Sequence, residues 1–472
     1  MYKPPSVLIC PNCGNSLDSE ASIDASYVSC NNCKSRFPLI KGRIPFLFPQ
    51  PEKVLGQFSN YYQHYIDKER KRIAEFESQG REITDRRPFY DLLVKGLNHN
   101  LKVIEEVQSS LHSFLPKESI DFESIEKMAY TTDLSYLLRD WSGEEVHEQE
   151  VSKIVDSIGD MLSPYYQSHD RMLVLGAGMG RIAVEVGKNF KEVLALDNSP
   201  TMAICFERLL DSSIDFYDVQ LKRAFTISEM VQEKNASLLN RDKDLLISAQ
   251  KTNYILGNAL NMPIQDKSIE VVLSAYFTDV FPLDLLLDEV NRVLKPGGLF
   301  LHFGPLEYHF PDESSMYAAE EFKAIFEQKG FEWVNESTLE NTNFSRPGSM
   351  LQQSYMNWQF LARKINKGPV EALQNSSYLS ISCAVSYKIE GQISEQNEPV
   401  VTLFPEGLGS LATTPVVLEI LKLMGDPIKL EDLLIQFCVL FEVSVEEIRG
   451  MVLQSLEQLL EKGVVKIQGS SL

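Results

Sequence analysis

Two apolar runs joined by a glycine turn decide the fold of this chain. The first reads Met172-Leu173-Val174-Leu175-Gly176-Ala177-Gly178-Met179-Gly180-Arg181, and the second ends on an acid, Leu194-Ala195-Leu196-Asp197. A strand, a glycine turn, a helix and a second strand closing on a carboxylate form a unit that holds a nucleoside, because the glycines let the backbone approach the ligand and the acid accepts ribose hydroxyls. The sequence therefore predicts an α/β fold with a Rossmann-like parallel sheet.

The spacing of the glycines favours one class of nucleoside. A dinucleotide-binding turn needs a third small residue after two intervening positions, where this chain has Arg181, and its third glycine, Gly180, comes one position earlier. A pyrophosphate site is therefore disfavoured, and the turn fits S-adenosylmethionine, which has no phosphate. We expect Gly176, Gly178 and Gly180 to bind this methyl donor and Asp197 to bind its ribose.

Length, net charge and the lack of long apolar runs narrow the possible classes of protein. The chain has 472 residues, enough for about two to four domains. Its net charge of −21 argues against binding to nucleic acid or to an anionic membrane. No apolar run approaches the ~18 residues that span a bilayer, and the start of the chain lacks the pattern of a secretory signal. We expect a cytoplasmic protein.

Residues 1–50 are predicted to form a zinc ribbon. Cys10 and Cys13 make one CxxC pair, and Cys30 and Cys33 make another after sixteen intervening residues. Two thiolates on each of two turns give Zn²⁺ tetrahedral all-sulfur coordination. Because four sulfurs fill the coordination shell, we expect a structural metal that contributes folding free energy to this short segment.

The middle of the chain changes from helices to alternating strands and helices. Residues 51–165 are rich in charge and are predicted to be a helical region. Residues 166–365 alternate strands and helices, as in a parallel sheet with crossover connections. A polar insertion at about 208–250 is predicted to be helical.

Residues 366–472 are predicted to form a separate domain similar to a winged helix. A strand at about 379–388 precedes three helices and a short closing strand, and Pro415 stands at the first position of the first helix. Residues 401–472 have five basic and ten acidic residues, so a DNA-reading surface is not expected. A peptide or protein partner is the expected ligand of this domain.

Several candidate site residues follow the predicted strands. Ligands of open α/β sheets bind beyond the carboxyl ends of the strands. Asn258 and Ala259 follow the third strand, Ala275 ends the fourth, Asp279 comes shortly after it, and His309 follows the fifth. We expect these residues to surround one cleft together with the glycine turn.

Three motifs resemble the carnosine N-methyltransferase family. They are LKPGG at 294–298, GPLEYHF at 304–310 and the segment 349–355, and Arg139-Asp140-Trp141-Ser142 agrees with them. The resemblance covers about residues 130–365. It implies a class I methyltransferase that uses S-adenosylmethionine to methylate an imidazole nitrogen of a histidine-containing dipeptide.

The resemblance also implies roles for single residues. Arg139 matches an arginine near the donor, Asp197 stands where the family has a glutamate, and Asn258 stands where it has an aspartate beside the adenine. Tyr136 departs from the family, which has a donor-binding glutamine there. Three residues fall at polar substrate positions: Asp279, His309 and Tyr355.

The expected chemistry is in-line transfer of a methyl group to a neutral imidazole. Asp279 is predicted to accept the imidazole N–H so that the other nitrogen attacks, while His309 and Tyr355 orient the ring or receive the proton. The extra C-terminal domain favours a histidine within a larger peptide. Two alternatives are a methyltransferase for another small-molecule or peptide nucleophile, and a non-catalytic protein that binds the donor and docks partners.

Overall fold

The chain divides into two units, residues 1–365 and residues 366–472. The computed structural model describes residues 4–17, 22–23, 26–115, 132–168, 170–365, 378–393, 399–406, 408, 410–441 and 443–468. Within those ranges, no helix combines the length and the apolar character that a bilayer crossing requires.

The first unit is built from strands and helices that alternate after residue 170. Its described strands are β1 (Ser22–Ile23), β2 (Tyr27–Ser29), β3 (Arg36–Ile40), β4 (Ile44–Leu47), β5 (Arg171–Leu175), β6 (Glu192–Asp197), β7 (Ile214–Val219), β8 (Val231–Ala236), β9 (Thr252–Gly257), β10 (Ile269–Ala275), β11 (Leu294–Gly304), β12 (Phe331–Thr342) and β13 (Ser354–Lys364). Its described helices are α1 (Pro51–Glu82), α2 (Arg87–His112), α3 (Ser135–Trp141), α4 (Glu145–Leu162), α5 (Arg181–Gly187), α6 (Pro200–Leu209), α7 (Ile227–Met230), α8 (Lys243–Lys251), α9 (Leu283–Val293) and α10 (Ala319–Gln328).

Eleven strands form one sheet in the order β1-β2-β3-β4-β9-β6-β5-β10-β11-β13-β12. From β4 through β9, β6, β5 and β10 to β11 the neighbouring strands are parallel, and β13 runs antiparallel between β11 and β12. The predicted parallel sheet is therefore confirmed. Because the strand order reverses between β5 and β10, the switch point where such sheets bind ligands lies directly beyond the glycine turn.

The central strands are apolar on both faces because helices and loops cover both faces of the sheet. Met172 and Val174 of β5 enter one core cluster, which includes buried residues of α1, α2 and α4. Leu173 and Leu175 enter the other, which includes buried residues of α9, α10 and the cysteine segment. The first half of the chain is thus part of the same hydrophobic core as the α/β sheet.

The cysteine segment joins the sheet through its last strand. Phe46 and Leu47 of β4 pair in parallel register with Leu256 and Gly257 of β9. A second connection comes from the backbone, where the Gln265 N–H donates to the Val7 carbonyl at 2.8 Å. These contacts fix the predicted ribbon on the α/β sheet.

Part of the insertion that was predicted to be helical is a β-hairpin instead. Strands β7 and β8 pair antiparallel, with Phe216 opposite Lys234. Tyr217 packs tightly on α2, where a Cβ on Gly96 would lie 3.1 Å from the Tyr217 Cβ. The helical prediction is wrong because charged residues in both strands obscure the alternating pattern of a β-strand. Packing against α2, which the local sequence does not reveal, determines which positions are buried. The helices of the insertion are the short α7 between the two strands and α8 after the hairpin.

The second unit contains three helices and six described strands. They are β14 (Tyr378–Ile381), β15 (Val385–Ile393), β16 (Pro399–Pro405), β17 (Leu411–Thr413), α11 (Pro415–Leu423), β18 (Ile428–Lys429), α12 (Leu430–Phe441), α13 (Val445–Glu461) and β19 (Val465–Gln468). Two small sheets form, β18-β14-β19 and β15-β16-β17. The single strand predicted at 379–388 is wrong, since the chain leaves the first sheet after Ile381 and enters the second at Val385. The likeness to a winged helix stays a prediction.

Candidate active site

The carboxylate that ends β6 is hydrogen-bonded to the glycine turn. Asp197 Oδ2 accepts the backbone N–H of Gly178 at 2.8 Å, and Oδ1 accepts the N–H of Ser199 at 2.9 Å. Burial raises the pKa of Asp197, and these hydrogen bonds oppose the rise. Each oxygen accepts more than one hydrogen bond, so the carboxylate retains the capacity to bind ribose hydroxyls.

The three glycines of the turn all have left-handed backbone, but for different reasons. Their φ values are +59°, +55° and +81°. A Cβ on Gly176 would lie 2.1 Å from the ring of Phe277, and one on Gly180 would lie 2.6 Å from the ring of Phe206. A Cβ on Gly178 would meet no atom within 4 Å. Gly176 and Gly180 are therefore required by packing, and Gly178 borders the open space where a ligand approaches the backbone.

Helix α3 is attached to the same turn. The indole N–H of Trp141 donates to the Met179 carbonyl at 2.8 Å, and Arg181 Nη1 donates to the Asp140 carbonyl at 2.7 Å. The Arg181 guanidinium also lies over the Trp141 ring, 5.2 Å from its centroid. These contacts place the segment that carries Arg139 beside the predicted donor site.

Arg139 is buried between aromatic rings. Its Nε donates to Asp140 Oδ1 at 2.6 Å, and its guanidinium carbon lies 4.9 Å from the Phe344 ring centroid and 5.4 Å from that of Tyr136. Burial alone would lower the pKa of Arg139, but the charge of Asp140, the hydrogen bond to it and the nearby tyrosines together raise the pKa. Asp140 Oδ2 is buried with no hydrogen-bond partner among the described residues. The pair can bind the carboxylate and the ammonium of an amino acid.

The candidate adenine-binding residues lie at the ends of β9 and β10. Asn258 Oδ1 accepts the Leu260 N–H at 2.9 Å, which fixes the side chain while leaving its amide N–H groups as donors. Ala259 and Ala275 are buried small residues that leave room for a flat ring. The structure thus places Asn258, Ala259 and Ala275 at the carboxyl edge that also carries Asp197.

Asp279 and His309 lie on two loops that are bonded to each other. Asp279 Oδ2 accepts the Glu307 N–H at 2.8 Å, and the Asp279 carbonyl accepts the His309 N–H at 3.1 Å. Burial raises the pKa of Asp279, and the hydrogen bond from the Glu307 N–H opposes the rise, with a smaller contribution from His309. The Asp279 side chain is buried, whereas His309 is exposed. The structure therefore brings together two of the three predicted catalytic residues.

Sequence reasoning missed Tyr276, which directly follows β10. Its φ is +55°, an uncommon conformation for a residue with a side chain, and its N–H donates to the Phe303 carbonyl at 2.7 Å. Gly304 makes this backbone possible, since a Cβ there would lie 3.3 Å from the Tyr276 Cα. A strained residue beyond a central strand is typical of a functional site. Its position directly after the fourth strand was the available signal.

The third predicted catalytic residue, Tyr355, is half-buried on β13. It lies opposite Asn341 of β12. Burial raises the pKa of Tyr276, and negative charge on Glu150 and Tyr355 adds to the rise. Within the described part of the chain, three buried polar atoms near these residues have no hydrogen-bond partner: the Tyr276 hydroxyl, Asn341 Oδ1 and Asn357 Oδ1. Buried polar atoms are normally paired, so this group indicates a site for a polar ligand.

A buried carboxylate holds the loop that follows β12. Glu150 Oε1 accepts the Ser345 N–H at 3.0 Å, and Oε2 lies 3.2 Å from His147 Nδ1. Although burial opposes ionisation, these hydrogen bonds hold the pKa of Glu150 at about 2. The loop in turn places Phe344, whose φ is +56°, against Arg139. Glu150 was not predicted from the sequence.

The four predicted zinc ligands come together. The sulfur atoms of Cys10, Cys13, Cys30 and Cys33 all lie within 4.8 Å of one another. The Sγ atoms of Cys10 and Cys33 are 3.5 Å apart, and those of Cys13 and Cys30 are 3.6 Å apart. An all-sulfur set on two turns fits tetrahedral Zn²⁺ and leaves no position for substrate.

The strand order and the glycine turn followed by an acid define the fold of a class I methyltransferase. A model of the family described as carnosine N-methyltransferase matches residues 117–366. The chain belongs to this family.

The relatives named carnosine N-methyltransferase include proteins from a fly, a slime mould and a mammal. The Drosophila melanogaster protein, carnosine N-methyltransferase unmet, is 25% identical over 275 residues, covering 53% of this chain and 58% of its own length. The Dictyostelium discoideum protein is 23% identical and covers 50% and 54%, and the Rattus norvegicus protein is 22% identical and covers 65% and 84%. The chain thus spans little more than half the length of the first two.

Solved methyltransferases are more distant. A SAM-dependent methyltransferase from Aquifex aeolicus has a TM-score of 0.27 and 14% identity, covering 46% of this chain and 98% of its own. Magnesium protoporphyrin IX methyltransferase from Synechocystis PCC 6803 has a TM-score of 0.32 and 10% identity, covering 49% and 93%.

Proposed function

We propose that this protein is an S-adenosylmethionine-dependent N-methyltransferase that acts on an imidazole nitrogen of histidine, in a dipeptide or in a larger peptide. The observation that carries the proposal is the pair of bonded loops after β10 and β11, which presents Asp279 and His309 at the carboxyl edge of the sheet where the glycine turn also lies. Family membership and the names of the relatives support the same reaction.

The donor site follows from the carboxyl edge of the sheet. Asp197 accepts the ribose hydroxyls, Gly178 admits the ligand to the backbone, and Arg139 binds the carboxylate of the amino-acid end. Asn258, Ala259 and Ala275 surround the adenine. The bound donor supplies an electrophilic methyl group on a good leaving group, so the protein has mainly to align the acceptor.

The acceptor site lies around Asp279. Its carboxylate accepts the N–H of one imidazole nitrogen, which fixes the tautomer and leaves the lone pair of the other nitrogen directed at the methyl group. A bond forms between that nitrogen and the methyl carbon as the sulfur–methyl bond breaks. The proton on the first nitrogen then passes to Asp279 or His309, and Tyr355 orients the ring.

We also propose the remaining assignments of the chain. Residues 1–50 are a zinc ribbon with a structural Zn²⁺, 51–165 a helical region, 166–365 the methyltransferase domain and 366–472 a winged-helix-like domain that binds a peptide or protein partner. The net charge of −21 supports a protein that binds neither nucleic acid nor an anionic membrane, and the paired cysteines support the cytoplasm.

Methyl-transfer assays test the reaction. The full chain is incubated with radiolabelled S-adenosylmethionine and a panel of histidine dipeptides and histidine peptides, and mass spectrometry locates the methyl group on the ring. We expect label on an imidazole nitrogen of at least one acceptor. Label on none of them rejects the imidazole acceptor, while calorimetry with S-adenosylmethionine tests the donor site separately.

A further inference from the structure

A small cavity lies where the hairpin β7–β8 meets the loop before β13. Ala224 forms a β-bridge with Ser349, and the Met350 N–H donates to the Arg223 carbonyl at 2.8 Å. Leu138 of α3 contributes to the wall. The volume of about 30 Å³ accommodates a few water molecules or one carboxylate, and it is too small for a dipeptide.

All three acids that line the cavity already accept hydrogen bonds or form ion pairs. Arg346 makes two 2.9 Å hydrogen bonds to Asp218, and Lys234 is bonded to Glu144. Glu229 accepts the backbone N–H groups that begin helix α7. The lining as a whole has three acids and four cations, so one positive charge is in excess.

Two cations on the rim lack a carboxylate. Lys222 and Arg223 are exposed and line the cavity, and neither forms an ion pair within the ranges that the structure describes. The whole chain has a net charge of −21, so this is a local positive surface on an acidic protein. Such a surface attracts an acidic ligand.

Apolar side chains stand exposed on both sides of the same bridge. Phe225 is 70% exposed and Ile227 46% on the hairpin side, and Met350 is 58% exposed and Leu351 43% on the loop side. Single exposed apolar residues are common, but four beside two unpaired cations make a surface suited to a peptide.

We propose that this surface, formed by Lys222, Arg223, Phe225, Ile227, Met350 and Leu351 and here called the rim surface, binds an acidic and partly apolar segment that flanks the histidine of a peptide acceptor. The proposal rests on the proposed function and names its substrate class. Lys222 and Arg223 bind the carboxylates, while Phe225 and Met350 pack against an apolar side chain.

The course of one loop connects the rim surface to the active site. The chain between β12 and β13 covers Arg139 with Phe344, passes the cavity at Arg346, and reaches Tyr355 four residues after Leu351. In this proposal the histidine of the peptide lies at Tyr355 and its neighbouring residues extend over the rim surface.

A direct binding experiment tests whether Lys222 and Arg223 bind the carboxylates of a peptide. A fluorescein-labelled peptide with one histidine, one leucine and two aspartates is compared, by anisotropy on the full chain, with a twin that has asparagines. We expect the acidic peptide to bind at least about tenfold more tightly, equivalent to about 1.4 kcal/mol. The double variant Lys222→Glu/Arg223→Glu is expected to abolish the preference, and Lys102→Glu, an exposed lysine on α2, to retain it.

The apolar half has its own pair of variants. Phe225→Ser is expected to weaken the binding of both twins, whereas Ile247→Ser, which removes an exposed side chain on α8, is not. Equal affinities for the twins, or a preference that survives the double charge reversal, overturns the proposal. If no histidine compound is methylated but the preference follows Lys222 and Arg223, the proposed function fails and the rim surface stands. If dipeptides are methylated and the two peptides bind with equal affinity, the proposed function stands and the proposal for the rim surface fails.

Discussion

The Asp279 carboxylate accepts the Glu307 N–H at 2.8 Å and so fastens the loop after β10 to the loop after β11. In the proposed mechanism the same residue also accepts the imidazole N–H of the acceptor. The proposal thus gives one side chain a structural and a catalytic task, and the two tasks respond differently to substitution because the loop contact needs only an acceptor oxygen.

Asp279→Asn retains a carbonyl oxygen for Glu307 and removes the negative charge. We expect turnover to fall by about 100-fold or more, the usual contribution of a proton-transfer group. The dissociation constant for S-adenosylmethionine should change less than threefold, roughly 0.6 kcal/mol. Steady-state kinetics and calorimetry measure both, with the exposed Asp244→Asn as the control. Wild-type turnover in Asp279→Asn would show that the charge has no catalytic role.

Asp197→Ala tests the ribose contact. Hydrogen bonds to a charged group contribute about 1.5–3 kcal/mol each, so donor affinity should fall about 10- to 100-fold. Calorimetry with S-adenosylmethionine checks this, and Asp211→Ala, an exposed acid just after α6, serves as the matched variant. An unchanged affinity is incompatible with a ribose at Asp197.

The glycines of the turn should separate folding from donor binding. Gly180→Ala adds a Cβ 2.6 Å from the Phe206 ring at φ +81°, so it should lower the free energy of unfolding by several kcal/mol, on the order of 2–4. Gly178→Ala carries only the backbone strain of about 1–2 kcal/mol and should chiefly weaken donor binding, because its methyl group enters open space. Urea unfolding measures the stability of both variants, and calorimetry measures their affinity for S-adenosylmethionine. Equal losses of stability in the two variants would contradict the different roles of the two glycines.

His302 should make the first unit sensitive to acid. It is fully buried between Thr278, 2.8 Å from its Nδ1, and the Gly304 carbonyl, and burial lowers its pKa to about 4 from 6.5. Below pH 6.5 His302 binds a proton in the unfolded chain but stays neutral in the native protein. The contribution of neutral His302 to the free energy of unfolding is therefore complete above pH 6.5 and is lost as the pH falls towards 4. The loss is about 3 kcal/mol for this shift.

The measurement is urea unfolding between pH 7 and 4, followed by tryptophan fluorescence. All three tryptophans lie in the first unit, so the signal reports that unit alone. His302→Gln should flatten the pH dependence, and His64→Gln, an exposed histidine on α1, should leave it as in the wild type. A dependence that is equally steep in His302→Gln would assign it to other groups.

The cysteine cluster should hold one zinc per chain. Metal analysis of the purified protein is expected to find one equivalent, and Cys30→Ser should bring it close to zero and lower the unfolding temperature of the first unit. Cys438→Ser, in the second unit, should leave both values unchanged. A wild-type protein without zinc, or Cys30→Ser with a full equivalent, would rule out the ribbon.

The parallel sheet and the glycine turn could be predicted because both depend on short patterns in the sequence. Strand β5 is buried on both faces and therefore appears as a continuous apolar run, and the turn after it needs glycines at fixed positions. Asp197 follows from the same logic, because it ends the next apolar run. These features depend on residues close together in the sequence.

The features that escaped prediction depend on distant contacts. The left-handed backbone of Tyr276 requires Gly304, which comes from β11. The hairpin β7–β8 requires the pairing of Phe216 with Lys234 and the surface of α2. Charged residues in short strands gave a helical prediction because no local pattern revealed which positions pack inward.

Strand β4 has a consequence for solubility. It pairs with β9 through Phe46 and Leu47, and without it the polar backbone groups at that margin of the sheet would face water. Such an uncovered strand is a template for another chain to add to. If zinc loss releases the cysteine segment, the first result should be self-association, and light scattering during chelation would detect it before activity falls.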